Sequence, residues 1–246
     1  MKKLFFTLFF MFTITAVFGQ VSSFMYVKVA PEDQAEFERI EMTYWSQIAK
    51  KAIDAGKMQA WGMMRKVGMA GSEANYLFIN IFKDFEQATN ANGIWDPAVI
   101  GMHVNDIETQ SMRTLIGWHY YQIEGSIQGS GKYSIHNYAS PANLEGFVSE
   151  NLNLWKPFFE QNIKNNRTKQ KNWGIGTRVY PAGSASGATV FTRDGFDTLA
   201  DALEALSYKP SANPMYAPIL KKSKMSEYAP DGFTHRVIYE SLMWQN

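Results

Sequence analysis

Eight short runs along the chain are apolar or alternate between hydrophobic and polar residues, and two long stretches between them carry apolar residues every three to four positions. Alternation indicates strands with one buried face, whereas the wider spacing indicates amphipathic helices. The predicted strands are residues 24–29, 58–67, 76–82, 116–124, 133–138, 172–180, 188–193 and 234–242. The helical stripes are Phe37, Ile40, Tyr44, Ile48 and Ala52, then Leu144, Phe147, Val148, Leu152, Trp155 and Phe159. The order strand, helix, strand, strand, helix, strand therefore occurs twice.

Matching residues accompany this repetition. The matched pairs are Phe37 with Phe147, Trp45 with Trp155, Trp61 with Trp173, and Ala70-Gly71-Ser72 with Ala182-Gly183-Ser184. The first two pairs are 110 residues apart and the others 112. Ordered matches at a nearly constant spacing are the signature of an internal repeat. We therefore predict two halves, residues 20–129 and 130–246.

The element order of each half is the ferredoxin-like one, with an antiparallel four-stranded sheet and helices on one face. The other face of each sheet needs a cover, which two halves of one chain can supply for each other. The predicted fold is α+β, with two tandem ferredoxin-like repeats that close into an intramolecular eight-stranded barrel. A barrel of this size is filled by side chains or holds one small ligand.

The segments Gly56-Lys57-Met58-Gln59-Ala60-Trp61-Gly62 and Asn172-Trp173-Gly174-Ile175-Gly176 each follow a long helix. With them the chain resembles the dimeric α+β barrel superfamily, in a tandem form similar to NIPSNAP-like and antibiotic-biosynthesis-monooxygenase-like proteins. The resemblance implies several activities, among them cofactor-independent monooxygenases, isomerases, cyclases and haem proteins. Haem is thus compatible with the resemblance, although no residue pattern points to it and no cofactor is predicted. The fold does not choose among these activities.

The first nineteen residues have the composition of a secretory signal. Lys2 and Lys3 precede an apolar run from Leu4 to Phe18, and Gly19 ends it. The run is shorter than the ~20 residues that a spanning helix needs. We predict cleavage near Gly19, export to a periplasm or the medium, and no stable membrane anchor afterwards.

Charge and composition exclude several classes of function. Of 24 lysine and arginine residues, 22 remain after the predicted cleavage, against 23 acidic residues. Without a basic excess, we predict no nucleic-acid partner. The chain has no cysteine, which excludes disulfides, thiolate metal sites and cysteine nucleophiles. The four histidines, His103, His119, His136 and His235, form no metal-ligand pair in sequence, so we predict no metal site.

Strand alternation selects candidate site residues. Aligning Val27 with Ile135 places Lys28 opposite His136, on the faces that would line the barrel. His136 is the candidate general acid or base, and Lys28 the candidate cation that stabilises negative charge. The same alternation gives a predicted ligand-binding wall of Tyr26, Tyr138, Gln122, Arg178 and Glu240. Gly174 and Gly176 would leave room beside it.

The leading hypothesis is an exported protein that binds a small apolar or aromatic molecule between its two sheets. A cofactor-independent monooxygenase or isomerase that uses His136 is one alternative. A non-catalytic assembly module with a filled barrel, acting as a homo-oligomer, is another. A cavity of roughly 300 Å³ or more separates the first two hypotheses from the third.

Overall fold

Eight strands run through the computed structural model, which describes residues 19–68, 73–90, 93–207 and 214–246. They are β1 (Val21–Val29), β2 (Ala60–Lys66), β3 (Tyr76–Phe82), β4 (Arg113–Ile127), β5 (Tyr133–Ala139), β6 (Gln170–Tyr180), β7 (Val190–Phe196) and β8 (His235–Gln245). Every neighbouring pair is antiparallel, and the strands close into a barrel in the order β1-β3-β2-β8-β5-β7-β6-β4. The predicted eight-stranded α+β barrel is therefore confirmed.

Helices cover the outside of the barrel. They are α1 (Gln34–Ile40), α2 (Ser46–Asp54), α3 (Phe85–Thr89), α4 (Leu144–Glu150), α5 (Lys156–Lys164), α6 (Leu199–Leu206), α7 (Ala217–Leu220) and α8 (Met225–Tyr228). A π-helical turn, Glu41–Trp45, joins α1 to α2, and another, Asn151–Trp155, joins α4 to α5. Each long predicted helix is thus one continuous rod with a π turn at its middle.

The strand order is the same on both sides of the barrel. It reads β4-β1-β3-β2 in the first half of the chain and β8-β5-β7-β6 in the second. The pairings of β2 with β8 and of β6 with β4 join the two sets and close the barrel. Closure leaves no edge strand among the described residues, which removes a common route to aggregation.

Strand pairing also relates positions in one half to positions in the other. Followed outward from the matched tryptophans, it gives the counterparts Trp61 and Trp173, Asn80 and Asp194, Ser23 and Ile135, Phe24 and His136, and Tyr26 and Tyr138. The sequence alignment that placed Lys28 opposite His136 was wrong. The counterpart of His136 is Phe24, four residues earlier.

The middle of the barrel is filled by side chains. The rings of Phe24, Tyr121 and Phe191 contact one another there, with centroids 4.8 to 4.9 Å apart. Gly176 faces inward as predicted, but it leaves no room for a ligand. Its cross-strand neighbour is Phe191, and a Cβ at Gly176 would lie 2.6 Å from Cε1 of that ring. The glycine therefore admits a neighbouring side chain, and the expectation of ligand space beside it was wrong.

Two predictions fall on residues outside the described ranges. The proposed signal peptide lies there except for Gly19, and so does the Ala70-Gly71-Ser72 turn. Among the helices of the described ranges, none is long and apolar enough to span a membrane.

Candidate functional site

Two cavities lie on opposite faces of the sheet. One, here called the outer cavity, has a volume of about 890 Å³ and lies between the helical layer and the outer face of the second half's strands. The other, here called the barrel mouth, has a volume of about 480 Å³ and opens at one end of the barrel. As far as the described residues go, the two linings share no side chain.

The walls of the outer cavity are mainly aromatic and apolar. Its large apolar lining residues are Phe147, Trp155, Phe159, Trp173, Phe196, Met215, Tyr216, Met225 and Phe233. The ring of Phe159 lies 5.9 Å from that of Trp173 and 5.8 Å from that of Trp155. Such a wall favours a flat, largely apolar ligand.

A hydrogen-bonded polar network forms the floor of this cavity. Asn137 Nδ2 donates to Asp194 Oδ2 at 2.8 Å and to Thr192 Oγ1 at 3.2 Å. Gln170 Nε2 donates to the other carboxylate oxygen of Asp194 at 2.8 Å. Arg236 Nε donates to Asn137 Oδ1 at 2.7 Å. We call these five residues the polar floor.

The polar floor belongs to the second half alone. The pairing places Met25 at the position of Asn137, Phe78 at that of Thr192, Asn80 at that of Asp194 and Trp118 at that of Arg236. Three apolar positions of the first half are thus polar in the second, and a neutral amide is replaced by a carboxyl group. Buried polar groups destabilise a fold unless they are paired, and the buried members of the floor, Asn137, Thr192 and Gln170, are all hydrogen-bonded.

Burial sets the ionisation of the floor. It raises the pKa of Asp194 to about 6, against the opposing effects of the Asn137 hydrogen bond and the Arg236 charge. Burial also lowers the pKa of Arg236, although Asp194 counteracts this effect. The pKa of Tyr216 is raised by burial and then by Asp194. Asp194 is therefore a carboxyl group that changes charge just below neutral pH.

The roof of the cavity is tied to the long helix through Glu150. Its carboxylate accepts hydrogen bonds from Ser223 Oγ at 2.6 Å and from the backbone N–H of Lys224 at 2.7 Å. It also accepts from Trp155 Nε1 at 2.9 Å, which orients the indole along the cavity wall. One carboxylate thus fixes both a wall residue and the segment that leads into α8.

His136 lies in the middle of the barrel with none of its surface exposed. Neither ring nitrogen has a hydrogen-bond partner among the described residues, and Phe24, Phe191 and Tyr239 surround the ring. Burial, followed by the charge of Arg193, lowers the pKa of His136 to about 3. The imidazole is therefore neutral near pH 7, and it lines neither cavity.

The other predicted site residues separate into two groups. Tyr26, Tyr138 and Arg178 come together at the barrel mouth. Lys28, Gln122 and Glu240 line neither cavity. On β4 it is Tyr121 that faces the interior of the barrel, so the adjacent Gln122 faces outward. Its pairing partner Val21 also packs outward. Glu240 likewise lies outside, in ion pairs with Arg65 and Lys132. The predicted alternation was therefore wrong for β4 and β8.

The sequence analysis missed Asp194, Thr192, Gln170 and Arg236. No motif marks them, and the predicted strand 188–193 stops one residue short of Asp194. The available signal was the comparison of the two halves, since polar residues stand where the first half has Met25, Phe78 and Trp118. Reading that signal requires the strand register, which the sequence alignment placed incorrectly on β1 and β5.

No protein-family model and no curated protein matches the chain. Solved structures do share its fold. An anthrone oxidase-like protein has a TM-score of 0.53 and 10% identity, covering 92% of both chains. A heme-binding protein from Thermus thermophilus and a mutant chlorite dismutase from Candidatus Nitrospira defluvii each have a TM-score of 0.53 and 11% identity, again covering 92% of both chains. At this identity the likeness shows the α+β barrel fold alone.

The outer cavity offers no histidine to a haem iron. All four histidines of the chain are among the described residues, and none lines this cavity. Tyr216 would have to ionise to bind ferric iron, yet burial and the nearby Asp194 raise its pKa. In the described ranges no group of three or more histidine, aspartate or glutamate side chains is arranged to hold a metal ion.

Proposed function

We propose that the protein binds a small aromatic molecule in the outer cavity, with the ring against the aromatic walls and a polar group on the polar floor. The observation that carries this proposal is the replacement of Met25, Phe78 and Trp118 of the first half by polar counterparts at the cavity floor. Packing alone would not favour the replacement of Phe78, which is buried, or of Met25, which packs against the same core, because each removes apolar contacts. Trp118 is 47% exposed, so its replacement removes few.

The floor also indicates which polar group the ligand carries. Arg236 offers N–H donors beside Asn137, and Asp194 offers carboxylate lone pairs beyond the two that its amide partners occupy. A hydroxyl group can accept from the first and donate to the second. A hydroxyaromatic compound, with one apolar face for the walls and one hydroxyl for the floor, matches both surfaces.

Replacement of the floor residues by their first-half counterparts tests this proposal. The variant N137M/T192F/D194N/R236W carries the first-half residue at four floor positions. We expect 1-naphthol affinity, measured by isothermal titration calorimetry, to fall at least about tenfold, because the polar anchors are lost and three larger side chains enter the cavity. The double variant Y26F/Y138F, altered only at the barrel mouth, is the control and should bind 1-naphthol as the unmodified protein does. Unchanged affinity in the floor variant, with its cooperative unfolding preserved, would rule out the outer cavity as the site.

A second candidate function is proton transfer by Asp194, as in a cofactor-independent monooxygenase or isomerase. A carboxyl group with a pKa of about 6, held by two amide donors at the floor of an aromatic cavity, has the properties of a general base near neutral pH. It would take the proton from a ligand hydroxyl or an acidic C–H group, leaving the electron pair on the ligand. The anthrone oxidase-like protein that shares the fold makes anthrone a suitable test substrate.

The pH dependence of anthrone turnover tests this role. With dissolved dioxygen as the oxidant, we expect the rate at saturating anthrone to rise with pH through about 6 and to be lost in D194N. Full turnover in D194N would exclude Asp194 as the base, and no turnover in the unmodified protein would leave binding alone.

We further propose that the protein is exported and that its halves are copies of one ferredoxin-like unit, residues 20–129 and 130–246. The lysines and the apolar run before Gly19, and the identical strand order of the halves, support these two statements. Mass spectrometry of the protein from its own host gives the amino terminus. A mature chain that still begins at Met1 would contradict export by cleavage.

A further inference from the structure

The barrel mouth is built from polar and aromatic groups that the proposed function does not use. Four tyrosines reach it, Tyr26, Tyr121, Tyr138 and Tyr239, and two histidines, His119 and His235, stand at its rim. The charged part of its lining consists of Arg178, Lys66 and Glu73. Because the outer cavity lies across the sheet, a ligand here would occupy a second, independent site.

The tyrosine hydroxyls of the mouth form one hydrogen-bonded group. Tyr26 and Tyr138 are counterparts in the two halves, and their hydroxyl oxygens lie 2.9 Å apart. Tyr121 interacts with Tyr26, and Tyr239 with Tyr138, so four hydroxyls stand together at the mouth. Burial, and then the neighbouring tyrosines, raise the pKa of Tyr26 well above its ordinary value. The hydroxyls therefore remain protonated and act as donors.

The fixed charge of the mouth is positive. Lys66 forms an ion pair with Glu73, which neutralises it. Arg178 donates to the backbone carbonyl of Gly187 at 2.9 Å, and it takes part in none of the ion pairs of the described ranges. Its charge reaches the interior of the mouth, since it lowers the pKa of His119, after burial, and opposes the rise in the pKa of Tyr121. One guanidinium without a carboxylate, beside hydroxyl donors, is complementary to an anion.

The rest of the lining is aromatic. The Tyr26 and His119 rings lie 5.1 Å apart, and the Tyr138 and His235 rings 6.1 Å apart, on the two sides of the Tyr26–Tyr138 hydrogen bond. Ala188 and Val237 add apolar surface between them. A volume of about 480 Å³ accommodates a ligand of one or two rings.

We propose that the barrel mouth is a binding site for a small aromatic carboxylate. The carboxylate lies toward Arg178 and the tyrosine hydroxyls, and the ring lies against Tyr26, His119 and Tyr138. The site pairs a delocalised anion with a planar donor group, the arrangement in which arginine is favoured over lysine.

Benzoate is the probe, with benzamide as its neutral isostere and acetate as its ringless analogue. Titration calorimetry at pH 7 should show saturable benzoate binding, at least about tenfold tighter than that of benzamide or acetate, since a charge-assisted hydrogen bond and the ring contacts each contribute. R178Q should weaken benzoate binding by about tenfold or more and leave benzamide unaffected. R178K keeps the charge but loses the planar fork. Its benzoate affinity should lie between those of the unmodified protein and R178Q, and it shows whether the protein tolerates change at this position.

The floor variant N137M/T192F/D194N/R236W separates this site from the outer cavity. It should bind benzoate as the unmodified protein does, so that failure of one proposal leaves the other standing. Absence of saturable benzoate binding, equal affinity for acetate, unchanged affinity in a folded R178Q, or loss of benzoate binding in the floor variant would each overturn the proposal.

Discussion

The two halves of the barrel use the same framework but treat the space under the long helix differently. In the first half that space is closed. Ile40, Ile48 and Ile107 are buried together there, and Trp45 Nε1 donates to the Ile107 carbonyl at 2.8 Å. In the second half the matching indole, Trp155, donates to Glu150 and borders the outer cavity. A matched tryptophan is thus a packing residue in one half and a cavity wall in the other.

The difference arises in the segment that precedes the last strand of each half. Residues 94–112 fold in three short 3-10 turns onto the first long helix, and both Ile94 and Ile107 are buried. Residues 214–233 instead form α7 and α8, which stand over the cavity as its roof. The connecting segments, more than the strands, therefore decide whether each half is closed or open. Connections tolerate change better than the strands they join, which fits their divergence here.

Each half also buries one carboxyl group in this layer. Glu41 of the first π turn accepts a hydrogen bond from Thr109 Oγ1 at 2.7 Å, and burial raises its pKa to about 7. Asp194 of the second half has two amide donors and a pKa of about 6. Of the two, only Asp194 faces a cavity. The first carboxyl group closes a packed interface, whereas the second is available to a ligand.

The largest expected effect comes from truncation of the matched tryptophans. Trp61 is 2% exposed inside the packed layer of the first half, and Trp173 is 1% exposed beside the outer cavity. We expect Trp61→Ala to lower the free energy of unfolding by about 3 to 5 kcal/mol. Trp173→Ala should cost less, because its neighbour Phe159 borders the outer cavity and can move into the space that the indole leaves, so that a smaller void remains. Urea unfolding at 25 °C measures both, and an equal or larger loss for Trp173→Ala would mean that the cavity is closed in solution.

A smaller effect is expected for the buried carboxyl groups. The folded-state pKa of Glu41 lies above its unfolded value, so the folded state disfavours the ionised form. The contribution of Glu41 to stability is therefore greatest below about pH 4 and falls as the pH rises to about 7. Glu41→Gln should raise the free energy of unfolding at pH 8 by up to about 3 kcal/mol and leave it nearly unchanged at pH 4.

Asp194→Asn is the matched variant in the second half. The stability that Asp194 contributes at low pH should be lost as the pH rises to about 6. The corresponding loss for Glu41 extends to about pH 7, because the pKa of Glu41 is higher than that of Asp194. The gain of Asp194→Asn at pH 8 should also be smaller, since an amide offers one acceptor oxygen to the two donors of Asn137 and Gln170. Urea unfolding midpoints measured between pH 4 and 8 give the dependence of stability on pH for the unmodified protein and for each variant. A stability that rises with pH in the unmodified protein and is independent of pH in both variants would contradict the assignment.

The smallest effect should be found where the halves are most alike. Tyr26→Phe and Tyr138→Phe each remove the single hydrogen bond that joins the two hydroxyls, and each should cost about 1 kcal/mol. The double variant should cost less than the sum of the two single ones, because the bond between the two hydroxyls is lost in all three, whereas the interactions of Tyr26 with Tyr121 and of Tyr138 with Tyr239 are lost separately. A double-mutant cycle measures the coupling. Fully additive losses would show that the bond between Tyr26 and Tyr138 contributes nothing.

The sequence was sufficient for the eight strands and the closed α+β barrel, because these follow from alternation and from the repeated order of the elements. It placed Tyr26, Tyr138 and His136 on the inner face correctly, since β1 and β5 carry a clear alternation. It failed on β4 and β8, where both faces carry aromatic residues and where register shifts next to Ile123 and Met63 interrupt the regular pairing. The outer cavity could not be predicted, because it depends on where the segment from 214 to 233 lies over the sheet.

The two π turns have a consequence for how such a cavity can be altered by evolution or by design. A π turn contains one residue more than the α-helical turn that it replaces. Deletion of a single codon within Asn151–Trp155 would therefore restore a regular α-helix and leave the segments before and after the turn on their present faces. Phe147 and Phe159 would both stay on the cavity wall, and only residues of the turn itself, Trp155 among them, would change position. The π turn thus absorbs a change of length that would rotate the rest of a regular helix by about 100°.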